Sequence, residues 1–266
     1  MRIALVSYIN TTPFTDGLRA SFPEENIQLN LLPPADCAKA LANGDADVAL
    51  IPVGSLPDFE EIEILPNWCI GADGAVESVF IVSERPINDL DTVYLDPHSR
   101  SSNGLANILL QYHWRVNVEV KKSTERPFGK VGDRTGAVVI GDQAIRLRHK
   151  YPYVYDLSAA WKNYTGMPFA FAVWAAKPGT LTQEQIMTLD QAFAHGVAQA
   201  SDSAKRWAEH FQLDPDFAHT YLTQHIDFRF DAPKHRAMET YLRALKTVKS
   251  IAELYSLFPK ATSKVA

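Results

Sequence analysis

The sequence predicts an α/β fold of two lobes with a helical C-terminal segment, and three observations support this prediction. Strand and helix patterns alternate twice along the first two thirds of the chain. The predicted strands are near-continuous apolar runs, which is typical of parallel strands covered by helices on both faces. The last third instead shows apolar residues at helical spacing. With 266 residues, 46% of them apolar, the chain can bury a substantial core.

The first alternation spans residues 3–53. The opening run IALVS predicts a strand over 3–9, followed by a helix over about 12–20 and a strand over 27–32. A helix over about 34–43 and a strand over 47–53, within NGDADVALIPV, complete the βαβαβ order. This order indicates a parallel sheet.

The second alternation predicts strands over 92–96, 116–120 and 136–141, and helices from about Ser101 to Trp114 and from Asp142 to about His149. The apolar runs 78–84 and 169–176 are then expected to be strands that cross between lobes. These crossings predict lobe 1 over 1–83 and 177–266, with lobe 2 inserted over 84–176. Such a chain forms a hinged clamp whose cleft lies at the carboxyl ends of the strands.

Composition and missing motifs exclude several classes of function. The net charge of −5 and the lack of a clustered basic run argue against a nucleic-acid partner. No run has transmembrane length or resembles a secretory signal, so we expect a cytoplasmic protein without a membrane partner. Cys37 and Cys69 lie too far apart for a redox or zinc motif. The common nucleotide, zinc and serine-hydrolase motifs are missing too, which disfavours nicotinamide, ATP and zinc chemistry.

Polar stretches stand at the predicted cleft end of four strands. The first is YINTTPF, residues 8–14, although Asn, Thr and Pro are also ordinary turn and helix-start residues. The second contains Ser78, at the start of the first crossing strand, where a serine in an exposed turn is an equally good interpretation. The local pattern leaves the role of both stretches open.

The third stretch is LDPHSRSSNG, residues 95–104, directly before the helix predicted to begin near Ser101. A helix start presents unpaired backbone amides and the positive end of the helix dipole, which favour an anion. Ser99, Arg100, Ser101 and Ser102 therefore predict a carboxylate-binding site, whereas a plain serine N-cap would explain only one of them. The fourth stretch is 141–142, where Asp142 is most simply an N-cap.

Taken in this order, these pieces resemble the chorismate dehydratases of the futalosine route to menaquinone. The matching segments are YINTTPF, GDADVALIPV, GADGAVESV, SRSS, IGDQA and DLSAAWKNYTGMPFAFAVWAA, of which the last is the most specific. They lie within residues 3–177. The chain departs from the family pattern conservatively, at Ile9, Phe14, Ser101 and Met167.

The resemblance implies a two-lobed type II periplasmic-binding-protein-like fold with a central cleft. It implies a hydro-lyase that converts chorismate to 3-[(1-carboxyvinyl)oxy]benzoate in menaquinone biosynthesis, without a cofactor. The matched positions give catalytic roles to Asn10 and Ser78. The substrate-binding roles fall on Tyr8, Pro52, Ser99, Arg100, Ser101, Ser102, Gly141 and Asp142.

An amide is no proton acceptor at neutral pH, so Asn10 is expected to hydrogen-bond the carboxylate or the leaving hydroxyl of the substrate. Ser78 is expected to hold the same groups. The candidate base is then the enolpyruvyl carboxylate of chorismate itself, a route suggested for the family.

Two alternatives stay open at this point. A non-catalytic binding protein for a small carboxylate has the same fold, and we would expect it to carry a secretion signal or lipid anchor. The ligand-sensing domain of a transcription regulator would need an attached DNA-binding segment. The acidic charge balance argues against that second alternative.

Overall fold

A computed structural model describes residues 1–248 of the chain. In chain order, the strands are β1 (Arg2–Val6), β2 (Gln28–Leu32), β3 (Val48–Pro52), β4 (Glu63–Ala72), β5 (Val79–Ser83), β6 (Thr92–Leu95), β7 (Glu119–Lys122), β8 (Thr135–Ile140), β9 (Tyr153–Asp156), β10 (Phe169–Ala176) and β11 (Asp227–Phe230). The α-helices are α1 (Thr12–Ser21), α2 (Pro34–Asn43), α3 (Ser101–Ile108), α4 (Gly141–Leu147), α5 (Leu157–Thr165), α6 (Gln183–Ala198), α7 (Ala200–Trp207), α8 (Pro215–Thr220) and α9 (Ala232–Thr247). These elements form two compact units, the first from residues 1–71 and 170–231 and the second from 72–169 and 232–248.

The first unit is built on a six-stranded sheet in the order β11-β4-β10-β3-β1-β2. Strand β1 is parallel to both β2 and β3, as the predicted βαβαβ order requires, and β10 runs antiparallel to β3. Every residue of β3 and β10 is buried. The near-continuous apolar runs in the sequence are therefore explained by central strands covered on both faces.

Helices α1 and α6 meet at two glycines. A Cβ atom on Gly17 would overlap the carbonyl oxygen of Ala192, and one on Gly196 would overlap the carbonyl oxygen of Pro13. Because those neighbours are backbone atoms, no side chain moves aside to make room. Glycine at both positions is what lets the two helix backbones come this close.

Phe14, the last residue of YINTTPF, belongs to the aromatic core of the first unit. Its ring packs edge-on against Trp174, Phe193 and Phe228, with ring centroids 5.6, 5.1 and 5.4 Å away. Trp174 also stacks on Phe193 at 4.3 Å. These contacts, favourable in both geometries, fix the start of α1 against β10 and α6.

The second unit is built on a five-stranded sheet in the order β7-β6-β8-β5-β9. Strand β6 is parallel to β7 and β8, whereas β5 is antiparallel to β8 and β9. In the core of the second unit, three aromatic rings pack edge-to-face: Trp161 of α5, Tyr241 of α9 and Phe169, the first residue of β10. The Tyr241 hydroxyl donates to the carbonyl of Ser101 at 3.0 Å, which ties α9 to the first residue of α3.

The predicted elements of both alternations are found, with small shifts. Helix α2 has the predicted bounds, and α3 begins at Ser101 as predicted but ends at Ile108, where a π-helical turn over Leu109–His113 follows. The strand predicted over 116–120 lies at Glu119–Lys122. Residues 177–248, the described part of the last third, are largely helical and contain one short strand, β11, that the sequence did not predict.

The lobe boundaries predicted from the sequence need correction. Strand β5 is internal to the second sheet, so the run 78–84 is not the expected crossing. The run 169–176 is β10, and the chain does pass between the units at its first residue, Phe169, while the rest of the strand lies within the first sheet. The chain passes between units near residues 71, 169 and 231, and α9 belongs to the second unit. Residues 249–266 of the predicted lobe 1 lie outside the described residues. Periodicity marks a strand as buried but does not say which sheet buries it.

Candidate functional site

In the first unit, the turn after β1 and the end of β3 lie at the same edge of the sheet, because the two strands are parallel neighbours. Residues Ile9–Thr11 form a 3-10 turn that leads directly into α1. The Thr11 hydroxyl donates to the carbonyl of Val6 at 2.5 Å and lies 2.9 Å from the carbonyl of Tyr8. Tyr8 and Pro52 are both buried. The turn that holds Asn10 is thus stabilised by hydrogen bonds between its own residues and the end of β1.

Asn10 is half-buried at the middle of this turn. Its Nδ2 donates to the hydroxyl of Tyr221 at 3.4 Å, and Tyr221 begins a π-helical turn over Tyr221–His225. The Asn10 Oδ1 is buried and accepts no hydrogen bond from the described residues. Since a buried amide oxygen without a donor is costly, Oδ1 is the atom of Asn10 best suited to accept a hydrogen bond from a ligand.

In the second unit, the start of β5 and the end of β8 lie at one edge, because Val79 pairs with Ile140 in antiparallel register. Ser78 is 2% exposed, and its carbonyl accepts a hydrogen bond from the Gly141 N–H at 2.9 Å. Gly141 has a φ of +66°, which favours glycine. Asp142 is buried and lies one residue inside α4, so its interpretation as the N-cap is wrong.

The segment after β6 reaches the same edge, because β6 is a parallel neighbour of β8. The side chain of Asn103 ties the ends of this segment together: its Nδ2 donates to the Asp96 carbonyl at 2.7 Å and its Oδ1 accepts from the Asp96 N–H at 3.2 Å. The Ser99 hydroxyl accepts from the Ser102 N–H at 3.2 Å. Arg100 holds the N-cap position of α3 and is partly exposed.

The predicted site residues therefore form two groups, one in each unit. Tyr8, Asn10 and Pro52 share an edge of the first sheet. The other group shares an edge of the second sheet and consists of Ser78, Ser99, Arg100, Ser101, Ser102, Gly141 and Asp142. In this second group, Ser99, Ser101 and Ser102 are all nearly fully buried.

Sequence reasoning missed two charged residues near the second edge. Asp96 is 2% exposed, and burial raises the pKa of its carboxyl, against the His98 N–H at 2.9 Å and the charge of Arg126. Arg126 donates to Gln143 in α4 at 2.7 Å. Asp96 lies within the motif LDPHSRSSNG, so the motif could have identified it as a site residue. No motif surrounds Arg126 in the sequence.

Residues 1–248 contain neither a candidate membrane-spanning helix nor a candidate metal site. No α-helix among them has the length and apolar character needed to cross a membrane. The same residues contain no group of three or more His, Cys, Asp or Glu side chains placed to hold a metal ion.

Comparison with solved structures identifies the class of fold. The periplasmic aliphatic sulphonate binding protein of Escherichia coli matches this chain with a TM-score of 0.61 and 14% identity, over 98% of this chain and 89% of that protein. The chain thus has a periplasmic-binding-protein-like fold, as the sequence predicted.

Within that class, a family model described as Menaquinone biosynthesis matches residues 1–247. The chain belongs to this family, and the family predicted from the motifs is confirmed. A chorismate dehydratase of Thermus thermophilus is 23% identical over 265 residues, which covers 91% of this chain and 94% of that enzyme. A chorismate dehydratase of Campylobacter jejuni is 27% identical over 143 residues, covering 53% of this chain and 63% of that enzyme.

Proposed function

We propose that this chain is a chorismate dehydratase, a hydro-lyase that converts chorismate to 3-[(1-carboxyvinyl)oxy]benzoate and water in menaquinone biosynthesis. Its family membership and the two named relatives support the proposal. The structural observation behind it is the group of buried serines and one arginine at the start of α3. We expect the reaction to take place in the cytoplasm.

Chorismate carries two carboxylates, and the start of α3 suits one of them. Backbone amides of the first turn of a helix have no partner within the helix and favour an anion. Arg100 adds a guanidinium, which forms two parallel hydrogen bonds with a carboxylate. Ser101 and Ser102 add hydroxyl donors. We assign these residues to binding the substrate rather than to its chemistry.

The reaction removes a ring proton and the ring hydroxyl, and the product ring is aromatic. Aromatisation supplies much of the driving force, so the protein has mainly to orient the reacting groups and assist proton transfer. The candidate base is the enolpyruvyl carboxylate of the substrate, and the chemistry needs no cofactor.

Asn10 and Ser78 are assigned to the reacting groups. Nδ2 of Asn10 donates one of its two hydrogens to Tyr221, whereas Oδ1 is buried without a donor among the described residues. We assign Oδ1 to the substrate hydroxyl, because it can only accept a hydrogen bond and the hydroxyl can donate one. The Ser78 hydroxyl can donate, so it suits an oxygen on which negative charge develops.

The direct test is to incubate the purified chain with chorismate and follow the loss of its diene absorbance. Mass spectrometry of the product should show the loss of one water. The Asn10→Ala variant, shown to be folded by circular dichroism, is the matched control and should leave the absorbance nearly unchanged over the same period. Stable diene absorbance with the unmodified chain would overturn the proposal.

The second candidate is a non-catalytic binding protein for a small carboxylate, favoured by the likeness in fold to a sulphonate-binding protein. It predicts that chorismate binds to the chain and is recovered unchanged. Calorimetric binding without turnover would support this candidate and exclude the first.

A further inference from the structure

Asp156, at the end of β9, accepts hydrogen bonds from four backbone N–H groups. Its Oδ1 accepts from Ser158 and Ala159 at 2.9 and 3.0 Å, which caps the N-terminus of α5. Its Oδ2 accepts from Val76 and Glu77 at 2.9 and 2.8 Å. The second oxygen thus serves a segment that lies about 80 residues earlier in the chain.

The register of the second sheet explains this contact. Strand β9 is antiparallel to β5, and Asp156 pairs with Phe80. The end of β9 therefore lies beside the start of β5, where the side chain reaches the backbone of the two residues that precede Ser78. A second link comes from Lys162 of α5, which forms an ion pair with Asp73 at 2.5 Å.

The turn that Asp156 holds needs such support. Glu77 has a φ of +59°, in the left-handed region that costs energy for any residue other than glycine. Ser78 follows it directly, and the Ser78 carbonyl accepts from Gly141 at 2.9 Å. The backbone of Ser78 is thus held by Asp156 on one side of the residue and by Gly141 on the other.

Helix capping alone does not explain an aspartate here. Serine and asparagine cap a helix about as well as aspartate does, and a single side-chain oxygen is enough. Only a carboxylate offers two oxygens that both accept, each from two N–H groups.

We propose that Asp156 is a positioning residue, which sets the place of Ser78 by holding the Val76–Glu77 backbone. This inference rests on the proposed function, since it assigns to Ser78 a part in the dehydration of chorismate. Asp156 itself acts only through the turn and is not a catalytic residue.

The main variant is Asp156→Asn. Its carbonyl oxygen can still cap α5, but its –NH₂ group accepts no hydrogen bond from Val76 and Glu77. A misplacement of about 1 Å at a reacting group costs on the order of a hundredfold in rate, so kcat is expected to fall at least tenfold, with a smaller change in KM. The matched control is Asp214→Asn in the first unit, where the carboxylate caps α8 through Phe217 at 2.9 Å. Its kcat should stay unchanged.

The double variant Ser78→Ala/Asp156→Asn separates positioning from a general structural role. If Asp156 acts through Ser78, removing it after the hydroxyl is gone should lower kcat by less than about twofold further. Losses that multiply in the double variant would overturn the proposal.

Hydrogen exchange tests the same contact without substrate. The amides of Val76 and Glu77 should exchange faster in Asp156→Asn than in the unmodified chain, and equal rates would overturn the proposal. Faster exchange together with an unmodified chain that does not turn over chorismate would instead refute the proposed function.

If Asp156→Asn does not fold, Asp156→Ser keeps a capping hydroxyl that is too short to reach the turn, and the same measurements apply. Failure of both variants to fold would count against a positioning role.

Discussion

Replacing Asp156 with asparagine is expected to change how the free energy of unfolding depends on pH. Burial raises the pKa of the Asp156 carboxyl from 3.8 to about 6, and the charge of Glu77 acts in the same direction. The backbone N–H groups of Ala159, Glu77 and Val76 oppose this rise. The folded carboxyl therefore keeps its proton to a higher pH than the unfolded one does.

The direction of the effect follows from proton binding. Between about pH 4 and about pH 6, the folded state binds more protons than the unfolded state, so the contribution of Asp156 to stability falls as pH rises. A difference of about two pKa units corresponds to about 3 kcal/mol. The asparagine does not titrate. The unfolding free energy of the unmodified chain, minus that of Asp156→Asn, should thus fall by about 2–2.5 kcal/mol between about pH 4 and about pH 7, because the unfolded carboxyl is already partly ionised at pH 4.

The assay is urea unfolding of both proteins at several pH values across this range, followed by tryptophan fluorescence and compared at equal m-values. The control is Asp91→Asn, since an exposed pairing with Arg134 lowers the pKa of Asp91. Asp91 is ionised above about pH 5 in the folded and in the unfolded chain. The unfolding free energy of the unmodified chain, minus that of Asp91→Asn, should therefore stay constant between about pH 5 and about pH 7. A difference for Asp156→Asn that stays constant, or rises with pH, would refute the reasoning. A rise would show that the four amides outweigh burial.

Further predictions concern the two sheet edges and the helix contact. Asn10→Ala should fold normally and lower kcat at least about tenfold, because the buried acceptor is lost while the core is kept; near-normal turnover would remove Asn10 from the site. Ser78→Ala should lower kcat similarly with little change in Tm, and a large fall in Tm would indicate a structural role instead. Arg100→Lys should raise KM roughly ten- to a hundredfold, since an ammonium cannot form the planar pair of bonds; an unchanged KM with a lower Tm would contradict substrate binding. Gly17→Ala should lower the free energy of unfolding, measured by urea unfolding, by at least about 1–3 kcal/mol. The control Gly129→Ala, with no atom within 4 Å of its added Cβ, should not lower it. Equal stabilities of the two variants would argue against close packing of α1 and α6.

The elements were predictable where one local pattern decides them. The runs around β1 and β3 are apolar on both faces, and the loops between them contain clear turn and helix-start residues. Alternation of strands and helices then indicated a parallel sheet. Strand β11 has four residues, of which only two are buried, and its pattern is too short to recognise.

Contacts between distant segments were not predictable in the same way. The assignment of β5 and β10 to their sheets depends on pairing partners, and both strands are equally apolar in the sequence. Asp156 was visible only as part of a matching motif, because its second set of hydrogen bonds depends on the register of β9 with β5. Tyr221, which contacts Asn10, lies in the helical third where apolar spacing predicts packing and nothing more.

At the candidate site, the prediction that α3 begins near Ser101 is confirmed, because serine is a common helix-start residue. Asp142 shows the limit of such local rules. The sequence places an acidic residue near a helix start, but whether that residue comes before the helix or inside it depends on the backbone of Gly141, with its positive φ.

The paired glycines of α1 and α6 bear on how this protein tolerates mutation. Gly196 faces the carbonyl of Pro13, three residues after Asn10, and α1 begins immediately after the turn that holds Asn10. A side chain at Gly196 would push on the backbone that carries Asn10, although the two residues are separated by most of the chain. Sequence drift in α6 is therefore constrained by the geometry of the N-terminal turn. Loss-of-function changes in this helix should concentrate at its one buried glycine, Gly196.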